Sequence, residues 1–266
     1  MAAKQAGARI VSDFILETRG LTKHYGGVHA LTDASFTLKR GEHVAIMGDN
    51  GAGKSTFVRQ ITGVEQPTRG EIIFDGNAHL FNSPIAAREA GIEAVFQTLA
   101  LADDLDVPSN LFLGREKIRW NLGPFSILDR RAMREATMAA LVKTGVKIPN
   151  LSNTIRNMSG GQRQCVAIAR TAAFKSKLVI MDEPTAALGV QETAQVENII
   201  RTLKEAGEPL ILISHNMRQV FDLVDRIVVF RRGRIVANLA KEDTDGQDVV
   251  SYITGAKTGA EFEGAA

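Results

Sequence analysis

An α/β fold is predicted, built on a mostly parallel sheet with helices on both faces. Three observations predict it. The runs His43–Met47, Leu178–Met181 and Leu210–Ile213 are short and apolar, as strands buried inside a sheet are. Between them lie helical patterns, of which Val196, Ile199, Ile200 and Leu203 are the clearest, at the i, i+3, i+4, i+7 spacing of one helix face. Strands that alternate with helices need crossover connections, and these lay helices over both faces of a parallel sheet.

The elements follow in order. Residues 1–12 are rich in alanine and lysine without periodicity and read as a flexible tail. A strand starts at Phe14, a turn is placed over Lys23–Gly27, and Ala30–Leu38 alternates as a half-buried strand does. The strand His43–Met47 runs into a glycine-rich loop and then a helix over Thr56–Thr62, stopped by Gly63. Glu71–Phe74 is a strand closed by the Asp75-Gly76 turn, and Ser83-Pro84 opens a short helix to Ala90. Glu93–Phe96 is another strand. From Leu99 to Met158 strand signals vanish, and a helix capped by Asp129 and ended by Gly145 marks a helical insertion. Helix returns over Gly160–Phe174. The strands Leu178–Met181 and Leu210–Ile213 follow with a helix between them, then a helix over Met217–Leu223 and a hairpin turning at Arg232-Gly233. A last helix spans Gln247–Ile253. The expected organisation is one domain over 13–255, with the insertion at about 99–159 and a second flexible tail over 256–266.

Composition narrows the function. With a net charge of only +2, no global field argues for a nucleic-acid or anionic-membrane partner and no nucleic acid is expected. No apolar run approaches the ~20 residues of a membrane-spanning helix. The single cysteine, Cys165, permits no intramolecular disulfide and fits a reducing, cytoplasmic setting.

The chemistry is carried first by Gly48-Asp49-Asn50-Gly51-Ala52-Gly53-Lys54-Ser55, a G-x-x-x-x-G-K-S run between a strand and a helix. Glycines let backbone N–H groups turn inward around phosphates, and the new helix points its positive end at the same anion. Lys54 is placed on the outer phosphates of ATP or GTP, with the Ser55 hydroxyl on Mg²⁺. The strand Leu178–Met181 ends in Asp182 and Glu183. In a parallel sheet that end faces the ligand crevice, which suits Asp182 to the Mg²⁺ shell and Glu183 to polarising the attacking water. Ser159-Gly160-Gly161-Gln162 opens a helix, and is either a plain helix cap or a second anion site. A symmetric dimer, each chain lending this helix end to its partner's ATP, accounts for two such ends in one chain.

Gly48 to Thr56, Gln97, Ser159 to Gln162, Leu178 to Glu183 and His215 stand in the order and approximate spacing of an ABC transporter ATPase subunit, which the chain resembles from about Phe14 to Gly255. The resemblance implies a P-loop NTPase core of ABC ATPase type, with an antiparallel β-subdomain and a helical insertion. It also implies that Gln97 senses Mg²⁺ and the membrane subunit, that His215 contacts the γ-phosphate, and that Tyr25 stacks on adenine; Tyr25 is otherwise an exposed turn tyrosine. Phe112 to Glu116, Met181 to Ala187 and Arg231 to Arg234 are more finely similar to the ATPases of simple-sugar importers (ribose, fructose or xylose type). The implied function is ATP hydrolysis driving a separate permease for a monosaccharide. Its implied partners are a second copy of the chain, the membrane permease and, indirectly, an extracytoplasmic binding protein, with the chain peripheral on the inner face of the membrane. Amino-acid import and export remain alternatives. A GTPase lacks support, since no Asn-Lys-x-Asp motif occurs, and a chromosome-organising ABC ATPase would need a coiled coil or zinc module. Gly189 departs from the family, in which most members carry aspartate.

Overall fold

The structure is a computed structural model that describes residues 12–120, 126–174 and 176–257. The predicted tails fall largely outside these residues, at 1–11 and 258–266.

Two sheets form the core. The larger has strands β3 (His43–Met47), β6 (Ile92–Val95), β9 (Leu178–Asp182), β10 (Leu210–Ile213), β11 (Arg226–Arg231) and β12 (Arg234–Ala240), in the spatial order β12-β11-β3-β10-β9-β6. Every pairing from β11 to β6 is parallel, and only the edge strand β12 is antiparallel. The smaller sheet is antiparallel, with β1 (Phe14–Tyr25), β2 (Val28–Lys39), β4 (Arg69–Phe74) and β5 (Asn77–His79) in the order β2-β1-β4-β5.

Alternation along each central strand sorts its side chains into two cores. Ala45, Met47, Val179, Met181, Leu210 and Leu212 face one way. They meet α3 (Val107–Phe112), α4 (Arg130–Thr144), α5 (Gly160–Ala172), α6 (Val190–Glu205), α7 (Met217–Leu223) and α8 (Gly246–Thr254). Val44, Ile46, Leu178, Ile180, Ile211 and Ile213 face the other way, onto α1 (Lys54–Ile61), α2 (Pro84–Ala90) and the antiparallel sheet. Strands apolar on both faces are thereby covered on both.

Some boundaries moved. β1 stays paired with β2 until Tyr25 meets Val28, so the turn is Gly26-Gly27 alone, not the whole of Lys23–Gly27. The first helix starts at Lys54 rather than Thr56, and α5 ends at Ala172 rather than Phe174. The insertion is not free of strands, because β7 (Ile118–Trp120) and β8 (Ile127–Leu128) form an exposed antiparallel ribbon. Packed against no sheet, these two short strands carry no burial pattern for periodicity to reveal.

Candidate active site

Strand order brings the site together. The neighbours β3, β10, β9 and β6 are followed, respectively, by the glycine loop, His215, Glu183 and Gln97. Ile46 and Asp182 both pair with Ile213, so Asp182 stands level with the end of β3, two strand spacings or roughly 10 Å away. Val95 pairs with Met181, which carries Gln97 to the same edge, where it is exposed.

The glycine loop is clamped by backbone. Gly48 has φ 147, and a Cβ there would lie 2.3 Å from the Phe230 carbonyl oxygen. Gly53 has φ 104, with a Cβ position 2.9 Å from the Ala30 oxygen. No L side chain fits either place. The Gly233 amide, at the β11–β12 turn, donates to the Ala52 carbonyl at 2.9 Å, and the Thr32 amide to the Gly233 carbonyl at 2.7 Å. Asp49 accepts from the Asn50 amide at 2.8 Å. The Lys54 ammonium donates to the carbonyls of Gly48 and Asp49 at 2.7 and 2.9 Å, which arches it over the loop. Burial lowers its pKa, while the charges of Glu183, Asp182 and Asp49 act the other way. Ser55 and Thr56 follow in the first turn of α1.

Beside the loop, Asp182 ends β9, and its carboxyl pKa is raised by burial and then by the Glu183 charge. Glu183 has φ 50, an uncommon conformation for a residue with a side chain. Its carboxylate meets His215 Nδ1 at 2.8 Å. The Glu183 side chain is 18% exposed and that of His215 78%, so the pair spans from a sheltered carboxylate to open solvent.

The other predicted residues lie further out. Ser159 caps α5, accepting from the Gln162 amide at 3.2 Å while Gln162 Oε1 accepts from the Ser159 amide at 3.1 Å. Among the described residues no hydrogen bond or ion pair joins Ser159–Gln162 to the glycine loop; the would-be Cβ of Gly160 faces Leu188, and that of Gly161 is blocked by Glu192. Gly189 caps α6 with φ −69, an ordinary backbone, and its Cβ position is taken by the Glu192 carboxylate. Tyr25 donates to the Glu65 carboxylate and carries Lys23 over its ring at 5.3 Å; burial and then Glu65 raise its phenol pKa.

A sequence profile of the ABC transporter family matches residues 31–186. The chain belongs to the ABC transporter family. This ABC chain is 47% identical over 250 residues to a fructose import ATP-binding protein of Rhizobium meliloti, covering 91% of the chain and 95% of the relative. It is 41% identical over 243 residues to a xylose/arabinose import ATP-binding protein of Sulfolobus acidocaldarius, covering 90% and 94%. Its fold is similar to the solved structure of cbiO1 from Clostridium perfringens, part of an ABC transporter complex, with TM-score 0.74, 26% identity and coverage of 92% and 96%.

Sequence reasoning missed three supports of this ABC site. Gly233 braces the loop from a hairpin about 180 residues downstream. Asn110, 1% exposed, accepts from the Ala102 amide at 2.7 Å and donates to the carbonyls of Ala102, Leu105 and Asp106, pinning the segment that follows Gln97. Gln219 is fully buried between the loops of Glu183 and His215. Only the Arg232-Gly233 turn left a sequence signal, and that signal spoke of a hairpin, not of what it touches.

Proposed function

We propose that this chain is the ATP-binding and ATP-hydrolysing subunit of an importer, energising a separate membrane permease for a monosaccharide. One observation carries it: four adjacent strand ends present a phosphate-sized glycine loop, a histidine–carboxylate pair and a glutamine along one edge. The loop's amides and Lys54 bind the phosphates of ATP, and Tyr25 stacks on its base. Glu183, steadied by His215, orients the water that attacks the γ-phosphate and accepts its proton.

Ser55, Asp182 and Gln97 would hold Mg²⁺. They are oxygen donors, as a hard cation requires, and phosphate oxygens complete such a shell, so a carboxylate cluster is not needed. When bound, the ion neutralises charge on the phosphates.

A second copy of the chain would bring Ser159–Gln162 to the partner's ATP, since among the described residues no hydrogen bond or ion pair joins this helix end to the glycine loop of its own chain. The permease would dock beside Gln97. There a groove of about 270 Å³ is lined by Glu93, Leu111, Leu113 and Arg115, with Leu113 48% exposed. None of the described helices is long and apolar enough to cross a membrane; the membrane-spanning part would be the permease. The relatives named for fructose and xylose/arabinose import support a monosaccharide; an extracytoplasmic binding protein would deliver it, and the chain would sit on the inner face of the membrane.

Glu183→Gln keeps ATP binding and slows hydrolysis by at least ~100-fold, as loss of a general base does. Lys54→Ala instead weakens binding itself by about 10- to 100-fold, the cost of a hydrogen bond to a charged group. Nucleotide titration and phosphate release measure both; equal loss of affinity in the two variants refutes the assignment. Cysteines at Asp103 and Leu113 should cross-link to the permease.

A further inference from the structure

Gln219 belongs to none of the motifs above, yet it touches the loops of two of them. Its side-chain oxygen accepts from Ser214 Oγ at 3.0 Å and from Thr185 Oγ1 at 3.2 Å. Ser214 immediately precedes His215, and Thr185 stands two residues after Glu183. The Ser214 hydroxyl also accepts from the Asn216 amide at 3.1 Å, so the bond reaches the backbone on the far side of His215. One carbonyl oxygen thus ties together the two loops whose side chains meet at 2.8 Å.

Those loops need a tie. Glu183 has φ 50 and Ala187 has φ 61, two non-glycine residues in the left-handed region within five positions. Such conformations persist only where the surroundings over-determine them. Backbone bonds secure part of the turn, from the Glu183 amide to the Ile213 carbonyl at 2.9 Å and from the Ala186 amide to the Glu183 carbonyl at 3.1 Å. Gln219 supplies the side-chain restraint between them, at Thr185. Its own amide nitrogen is buried and has no hydrogen-bond partner among the described residues, a costly arrangement for a group that serves no purpose there. What the position uses is a double acceptor.

We infer that Gln219 is a positioning residue for ATP hydrolysis, holding the Glu183 and His215 loops in register through Thr185 and Ser214. This rests on the reading of Glu183 as the hydrolytic carboxylate. The test compares kcat, ATP affinity and melting midpoint in Gln219→Leu, Gln219→Glu and Thr185→Val. Gln219→Leu lowers kcat at least ~10-fold, since small misplacements of reacting groups cost that much or more, while ATP affinity stays within about twofold because the glycine loop is untouched. Gln219→Glu, which still offers an oxygen to both hydroxyls, recovers kcat to within about threefold of wild type. Thr185→Val, nearly isosteric and only half-buried, lowers kcat in the same direction, and the double variant with Gln219→Leu is no slower than the worse single one. A purely structural role would move melting and affinity together and would not be rescued by glutamate. Folded Gln219→Leu and Thr185→Val hydrolysing at the wild-type rate, or folded Gln219→Glu as slow as Gln219→Leu, overturns the inference. Wild-type rates in Gln219→Leu beside an inactive Glu183→Gln overturn it alone and leave the parent reading standing.

Discussion

Two helices of this protein begin at glycine-rich turns, and their ends are built on opposite principles. α1 starts at Gly53, in a left-handed conformation with no side chain capping the helix. Its first amides have no acceptor supplied by a cap, so a ligand or water must provide one. α5 starts at Ser159 inside a complete capping box, with the Gln162 amide and the Ser159 amide each satisfied by the other residue's side chain. The difference extends to the surroundings. The α1 loop is held by backbone atoms of two distant segments, Ala30 in β2 and the β11–β12 hairpin at Phe230 and Gly233. The α5 end rests on Leu188 and Glu192, and is otherwise self-sufficient. A turn that reads as an anion site in sequence can therefore be either a cradle that needs its ligand or a finished cap that merely presents amides.

The largest effect expected from this contrast is at Gly53. Gly53→Ala should abolish ATP binding, because the left-handed backbone and the Ala30 oxygen 2.9 Å from the new Cβ leave it no room. Gly160→Ala, where the nearest atom to the new Cβ is 3.9 Å away, should fold and bind ATP as the wild type does. Comparable losses in the two variants, by nucleotide titration, would break the distinction.

Next comes Ser159→Ala. Loss of a cap costs about 1 kcal/mol, which for a domain of this size lowers the melting midpoint by roughly 2–4 °C. ATP binding to the isolated chain should be unchanged, and ATP-trapped dimer in the Glu183→Gln background should be lost. An unchanged dimer yield would show that the α5 end caps its helix and does nothing more.

A smaller effect probes how closed the α5 region is. Burial raises the Cys165 thiol, on α5, to about 11. At pH 8 its thiolate is then roughly 100-fold scarcer than that of an ordinary cysteine, so alkylation of the native chain should be slower by about that factor. Because the folded pKa is raised, the stability linked to this group is present below pH 9 and is lost as pH rises toward about 11. Fast alkylation at pH 8 would mean that α5 opens.

The smallest effect is at Gly189, at the start of α6 near the same helix end. Its φ of −69 suits any residue, and the atom nearest a new Cβ is the flexible tip of Glu192. The melting midpoint of Gly189→Ala should stay within about 2 °C of wild type, a surface-sized change. A larger fall would mean that Glu192 cannot move off Gly161 and Gly189, and that the α5 end is braced from α6 more firmly than its cap requires.

Local chemistry was legible in the residues. The glycine loop, the paired carboxylates after an apolar run and the caps at Ser83, Asp129 and Ser159 each depend on neighbours within a few positions, and backbone sterics and hydrogen bonding act over that range. Strands apolar on nearly every residue announced a sheet buried on both faces, and it is buried on both, His43 included. What only the tertiary structure decided is which distant segments meet. In sequence the central strands run β3, β6, β9, β10, whereas in space they run β3, β10, β9, β6, and that order sets His215 against Glu183 across 32 positions. The bracing of Gly48 and Gly53 by the β11–β12 hairpin, and the burial of Gln219 between two loops, belong to the same class. Each is a contact between segments whose own local preferences are indifferent to it. Such contacts form because closing the sheet and burying both its faces is favourable as a whole, so their partners are specified by the packed core and by no single stretch of chain.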